Sequence, residues 1–213
     1  MIPADPFFNE IYNEKQLKRL EKKFGPFRRH HLDLTVMTQI MLDMMFKMTQ
    51  KKPRRGEVVM VIPNEQGQLW LHTKDFYPEG VYRLMTGGID PGEKPDKSLL
   101  REVREETGLA VKIDRCLAVI TYTLTAAEGT LPFASYVFLT RPVAGQPHPT
   151  DPGERITHFK AVPAAELLTV VHNLRALSGP FQDWGIFRAM AHQVAYEALN
   201  QSLGAEARNL SAK

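Results

Sequence analysis

The chain has 213 residues, 43% of them hydrophobic and 24% charged, enough to bury a sizeable core and unlike disordered or collagen-like compositions. Its 27 Lys and Arg against 24 Asp and Glu leave a formal charge of +3, so nucleic-acid binding is permitted but not indicated. A single cysteine, Cys116, excludes an internal disulfide and an all-cysteine metal site, and fits a reducing, cytoplasmic setting.

Residues 1–10 carry Pro3, Asp5, Pro6 and Glu10 instead of a basic start and an apolar run, so no signal peptide is expected. Residues 14–24 place Leu17, Leu20 and Phe24 among lysines and glutamates at helical spacing, predicting an amphipathic helix that stops at Gly25 and Pro26. Residues 32–50 predict a second helix, with Val36, Met37, Ile40, Met41, Met44, Met45 and Met48 on one broad face. Asp33, Asp43 and Lys47 interrupt that stretch, which is too short and too polar to span a bilayer. A methionine-rich face fills irregular gaps or adaptable contacts, so burial within the subunit and a homodimer contact both fit. Residues 51–55 (KKPRR) form a basic, proline-broken junction. The apolar period then changes from helical to strand-like, placing the start of a central domain near Gly56.

Residues 58–62 (VVMVI) suit a buried strand, residues 63–67 a turn and residues 69–72 a returning strand, together a hairpin. Residues 83–85, 111–119, 121–125 and 135–140 supply further strand candidates. Residues 142–153, rich in Pro, Gly, Thr and Asp, exceed a tight turn and read as either a surface loop or a substrate-gating element. A last strand is expected over 158–162, a helix over 163–171 and a longer amphipathic helix over 184–203.

The chemistry concentrates in residues 87–109, GGIDPGEKPDKSLLREVREETGL. Gly87, Gly88 and Gly92 permit close backbone approaches, and a helix is expected to begin near Asp96 as N-cap and end at Gly108. At about 100° per residue, Leu99, Leu100 and Val103 share one arc, Arg101 and Arg104 a second, and Glu102, Glu105 and Glu106 a third. Like charges at this spacing repel, which a hard divalent cation relieves. Pairing with Arg101 and Arg104 on a solvated face is the other account of the same pattern.

The run Gly87, Glu93, Arg101-Glu102-Val103-Arg104-Glu105-Glu106-Thr107-Gly108-Leu109 resembles the box of the Nudix hydrolases, G-x5-E-x7-R-E-U-x-E-E-x-G-U with U a bulky aliphatic residue, at every specified position. The resemblance implies an α/β fold, an α/β/α sandwich around a mixed β-sheet. It places the hydrolase core at residues 56–170, between an N-terminal helical extension (1–55) and a C-terminal one (171–213). It implies a hydrolase dependent on Mg2+, or on Mn2+ in its place, that cleaves a phosphoanhydride bond in a nucleoside diphosphate linked to another moiety by water attack at phosphorus. Glu102, Glu105 and Glu106 would ligate the metal, Glu93 would support the metal site or a bound water, and Arg101 would orient the glutamates. Gly87 and Gly88 would shape the loop against the substrate. Glu154 stands before the last strand, where several Nudix enzymes place a further acidic ligand or base.

Trp70, Phe76, Tyr77, Tyr82 and Tyr122 are candidates for stacking on a base or for the core. Leu124 stands where ADP-ribose-type members carry a proline, with Tyr122 and Pro132 bracketing the place. A catalytically silent nucleotide sensor or scaffold with the same fold is the alternative, and the intact glutamates argue against it. The isopentenyl-diphosphate isomerase branch uses a cysteine before the box, whereas Cys116 follows it. RNA-end processing would draw on the basic residues of 15–29 and 51–55, which a solvated helix face explains more simply. The expected partner is a small nucleoside diphosphate derivative, with no membrane and with a homodimer as the assembly.

Overall fold

The computed structural model describes residues 5–50 and 53–210, with side chains through residue 200. The sequence readings of residues 1–10 and 51–55 therefore lie partly outside the described residues, at 1–4 and at Lys51 and Lys52. Seven strands and six α-helices are described: α1 (Pro6–Ile11), α2 (Glu14–Phe24), β1 (Arg28–Thr35), α3 (Gln39–Thr49), β2 (Gly56–Val61), β3 (Leu69–Lys74), β4 (Met85–Gly88), α4 (Pro95–Thr107), β5 (Ile113–Ala126), β6 (Gly129–Thr140), β7 (Ile156–Val162), α5 (Glu166–Arg175) and α6 (Gln182–Leu210).

The main sheet has the order β1-β5-β6-β2-β4. β1 runs parallel to β5 and β2 parallel to β6, while β5–β6 and β2–β4 are antiparallel. β2 is buried at every position, which explains its unbroken apolar run: both faces of the sheet are covered. Val58 and Met60 face a layer built from Phe8, Ile11, Leu17, Leu20, Leu99 and Val103 of α1, α2 and α4. Val59 and Val61 face the opposite layer, where Met41, Leu167, Val171, Leu174 and Phe187 arrive from α3, α5 and α6. The result is the expected α/β/α sandwich on a mixed sheet.

Several local expectations are corrected. Residues 32–35 are not the start of a helix; they belong to β1, whose exposure alternates along the strand and whose residues pair with Ala118 to Thr125. The helix begins at Gln39 because Asp183, far along the chain in α6, accepts hydrogen bonds from the N–H groups of Met37 (2.6 Å) and Thr38 (2.7 Å). The two halves of the anticipated hairpin touch at one bridge, Pro63 with Leu69, before β3 leaves to pair with β7 in a separate two-stranded sheet. Residues 111–119 and 121–125 merge into the single long strand β5. The N-cap of α4 is Lys94, with Pro95 in the first turn, where its missing N–H costs nothing.

Candidate active site

The box folds as β4, a turn and α4. Gly108 ends the helix at φ 66° and donates its N–H to the Arg104 carbonyl, the left-handed cap that glycine adopts without strain. Leu99 and Val103 anchor α4 in the core, while Leu100, expected beside them, is 37% exposed. Gly87 lies directly against Glu102: a Cβ at Gly87 would sit 2.1–2.4 Å from the Glu102 Cγ, Cδ and Oε2 atoms. A Cβ at Gly88 would meet the Arg54 guanidinium at 2.6 Å. Gly87 is thus required by close approach to the buried Glu102 and not by a special backbone angle, whereas at Gly88 the half-exposed end of Arg54 can move aside.

Arg101 ties the segment together. Its Nε and Nη2 donate to Glu93 (3.1 and 2.7 Å), Nη2 also to the Gly88 carbonyl (3.0 Å), and Nη1 to Glu102 Oε1 (2.8 Å) and Glu105 Oε2 (3.0 Å). The Glu93 hydrogen bonds push the Arg101 pKa up against the opposing effect of burial. Burial would raise Glu93, but Arg101 and Ser98 hold it below its ordinary value.

Glu102, Glu106 and Glu154 converge, each offering an oxygen within 4.8 Å of the others. Glu154 closes a 3-10 turn (Pro152–Glu154) in the loop that the sequence left open as either gate or plain connection. That loop is fastened to the end of α4: Thr150 donates N–H to the Glu105 carbonyl (3.0 Å), its hydroxyl donates to the carbonyls of Arg104 and Glu105 (both 3.0 Å), and His148 donates N–H to that of Thr107 (3.0 Å). These bonds to the last-turn carbonyls of α4, of which that of Arg104 also accepts from Gly108, therefore help set the position of Glu154. Glu105 stands outside the group of three, half exposed and turned to Arg101.

Burial raises Glu102 above its ordinary value and pushes Glu106 up to about 8. Glu154 is held below its ordinary value because the hydrogen bond and charge of Lys74 outweigh partial burial. Lys74 Nζ lies 2.8 Å from Glu154 Oε2 and 3.4 Å from Glu106 Oε1. His72, fully buried, is held well below its ordinary pKa by desolvation. Its Nδ1 is 3.9 Å from Glu106 Oε2, and among the described residues neither that oxygen nor either ring nitrogen has a hydrogen-bond partner. An all-carboxylate donor set with an orphaned buried oxygen, cradled by a glycine, fits a hard divalent cation.

A cleft of about 1060 Å³ opens beside the cluster, lined by Lys74, Gly87 and Gly88 on that side and by Met44, Phe76 and Arg188 farther along. Of the aromatic candidates, Phe76 and Tyr77 line it, Trp70 and Tyr122 belong to the core, and Tyr82 packs edge-on to His158. Leu124 is buried in β5.

A NUDIX domain model matches residues 53–184. The chain belongs to this family. RNA pyrophosphohydrolases of Photorhabdus laumondii subsp. laumondii and Proteus mirabilis are 43% and 42% identical to it over 65 residues, 30% of this chain and 35% of each relative. The match thus spans about a third of those relatives' length. Among solved structures, a MutT protein from Methanosarcina mazei is 21% identical with a TM-score of 0.46, over 64% of this chain and 94% of that one. A C. elegans Ap4A hydrolase is 14% identical with a TM-score of 0.46, over 70% and 98%.

Of the residues expected at the site of this Nudix chain, Glu102, Glu106 and Glu154 are brought together and Arg101 binds Glu93, Glu102 and Glu105; His72 and Lys74, which were not among them, lie against the same cluster, and Arg188 lines the cleft. His72 and Lys74 had a signal: two residues apart in a strand, they share a face, and that face meets the glutamates. Arg188, on a helix 82 positions past Glu106 in sequence order (188 − 106), had none.

Proposed function

We propose that this Nudix chain is a hydrolase, dependent on Mg2+ or Mn2+, that cleaves the phosphoanhydride bond of a nucleoside diphosphate linked to another moiety. The observation that carries this reading is the convergence of Glu102, Glu106 and Glu154 beside a cleft lined by their neighbours Lys74 and Gly87. These three would hold the cation, with Glu105 in reserve one guanidinium away. What a bound divalent cation supplies there is neutralisation of diphosphate charge and acidification of water. Arg101 keeps Glu93, Glu102 and Glu105 in fixed relation, so the carboxylates need not reorganise when substrate arrives. Lys74, paired with Glu106 and Glu154 and lining the cleft, provides a positive charge between the two. Water attacks phosphorus as the bridging P–O bond breaks, and a carboxylate of the site takes the proton.

The family relatives named RNA pyrophosphohydrolases favour a second reading, in which RNA carries the phosphoanhydride. Against it, Arg19 and Lys23 are committed to Asp96, and Arg29 to Glu14. A reducing compartment suits the buried thiol of Cys116, and among the described residues no helix is long and apolar enough to cross a membrane. A homodimer is proposed on the exposed apolar side chains of Met37, just before α3, and Phe46 within it.

The test is phosphate release, with a coupled phosphatase and Mg2+, from ADP-ribose, nucleotide sugars, dinucleoside polyphosphates, nucleoside triphosphates and a 5′-triphosphorylated RNA oligonucleotide. Turnover of one small nucleotide, abolished in Glu106→Gln, is expected. Silence across the panel from folded protein would transfer the reading to a nucleotide sensor, and turnover of the RNA alone would select the second reading.

A further inference from the structure

Two guanidinium groups, those of Arg83 and Arg188, meet on the lining of the cleft. Arg83 is 3% exposed. It donates from Nη1 to the Leu84 carbonyl (2.7 Å) and to Thr86 Oγ1 (3.1 Å), and from Nε and Nη2 to the Tyr77 hydroxyl. Arg188, from α6, donates from Nη1 to Glu57 Oε2 (2.7 Å) and reaches the same Thr86 Oγ1 at 3.5 Å, while its Nε has no hydrogen-bond partner among the described residues. Among the described residues the only carboxylate in ion-pair contact with either arginine is Glu57, on Arg188. The other oxygen of Glu57 is occupied by the Ser135 hydroxyl (2.8 Å).

Two buried cations thus converge on one neutral hydroxyl against a single counter-charge. Neutral acceptors and aromatic faces hold Arg83 in place, its guanidinium 5.1 Å from the Tyr77 ring and 6.0 Å from the Trp184 ring. Burial of cations in excess of their paired carboxylates is costly, and here Arg83, without an ion-pair contact among the described residues, and Arg188 both stand on the lining of an open cleft, where an incoming anion meets both groups.

We propose that Arg83, Arg188 and Thr86 form an anion subsite for a phosphate group of the substrate that lies beyond the carboxylate cluster. A planar carboxylate is satisfied by one guanidinium fork, whereas a tetrahedral phosphate has oxygens for two. The subsite adjoins the cluster through β4, because Thr86 immediately precedes Gly87, the residue that lies on Glu102. The inference rests on the cleft being the substrate site. It narrows the substrate to compounds with a phosphate additional to the cleaved diphosphate, in preference to a diphosphate capped by a neutral sugar.

The test is binding without turnover, in chelator, read by tryptophan fluorescence and by the shift in melting temperature. Wild type and Glu106→Gln are expected to bind inorganic phosphate saturably. Arg188→Gln and Thr86→Val, each checked for fold by circular dichroism, are expected to bind it about tenfold more weakly, the scale of losing a charge-assisted hydrogen bond. In the Glu106→Gln background, adding Arg188→Gln is expected to weaken a nucleoside triphosphate more than the corresponding diphosphate. Absence of phosphate binding by wild type, equal affinity in all variants, or equal weakening of the two nucleotides would each overturn the subsite. Because no hydrolysis is needed, intact binding with a silent activity panel would remove the hydrolase reading and leave the subsite standing.

Discussion

Glu102 can lie across β4 only because position 87 has no side chain. The nearest Glu102 atom is 2.1 Å from where a Cβ would stand, so Gly87→Ala must displace the carboxylate or the strand. A displacement of about 1 Å in a reacting constellation can cost about a hundredfold in rate. Gly87→Ala is therefore expected to lose activity on that scale while remaining folded by circular dichroism; unchanged kcat/KM would show that Glu102 is not held by this contact. At the same scale, sequence spacing carried Glu102 and Glu106 to one site, since positions four apart on a helix share a face. It grouped Glu105 with them, and Glu105 Oε2 accepts from Arg101 (3.0 Å) at the edge of that arc. The meeting of Arg83 and Arg188 was illegible because Thr86, three residues from Arg83, is brought to Arg188 only by the packing of α6.

Between elements, Asp96 couples α4 to α2. Its carboxylate is 1% exposed and accepts from Arg19 (2.6 Å) and Lys23 (2.7 Å). Burial would raise its pKa, but the two cations win and lower it from 3.8 to about 2. A depressed folded-state value means stability that is present above the unfolded pKa and lost as pH falls through the folded one. Asp96→Asn is expected to destabilise the protein at neutral pH by on the order of 1–2 kcal/mol, discounted for the exposed Lys23 partner. In denaturant titrations that difference should shrink as pH falls from about 4 to about 2; a difference constant over this range would contradict the ion-pair account. The N-cap expected of Asp96 misread the same fact: its short acidic side chain suits a cap, yet Pro95 starts the helix one residue earlier and frees Asp96 to reach α2. The helix limit at Gly108 was legible, since its positive φ leaves a signature in residue type.

Across the whole molecule, the apolar runs and their periods disclosed a two-faced sheet covered by helices. β1 escaped because its half-polar sequence, RRHHLDLT, borders a methionine-rich helix with no local stop signal, and what separates the two is the Asp183 carboxylate from α6. Long-range capping leaves no trace in a local window. The same N-terminal stretch supplies α3, whose Met44 and Met48 line the cleft while Met37 and Phe46 are 71% and 66% exposed. Sedimentation is expected to show a dimer, and a species of 24.2 kDa alone would contradict it. The central claim is that Glu102, Glu106 and Glu154 hold a divalent cation. Mn2+ titration followed by electron paramagnetic resonance tests it most directly: wild type should bind saturably, with binding lost in Glu106→Gln and weakened in Glu154→Gln, whereas unchanged Mn2+ affinity in both variants would contradict the account.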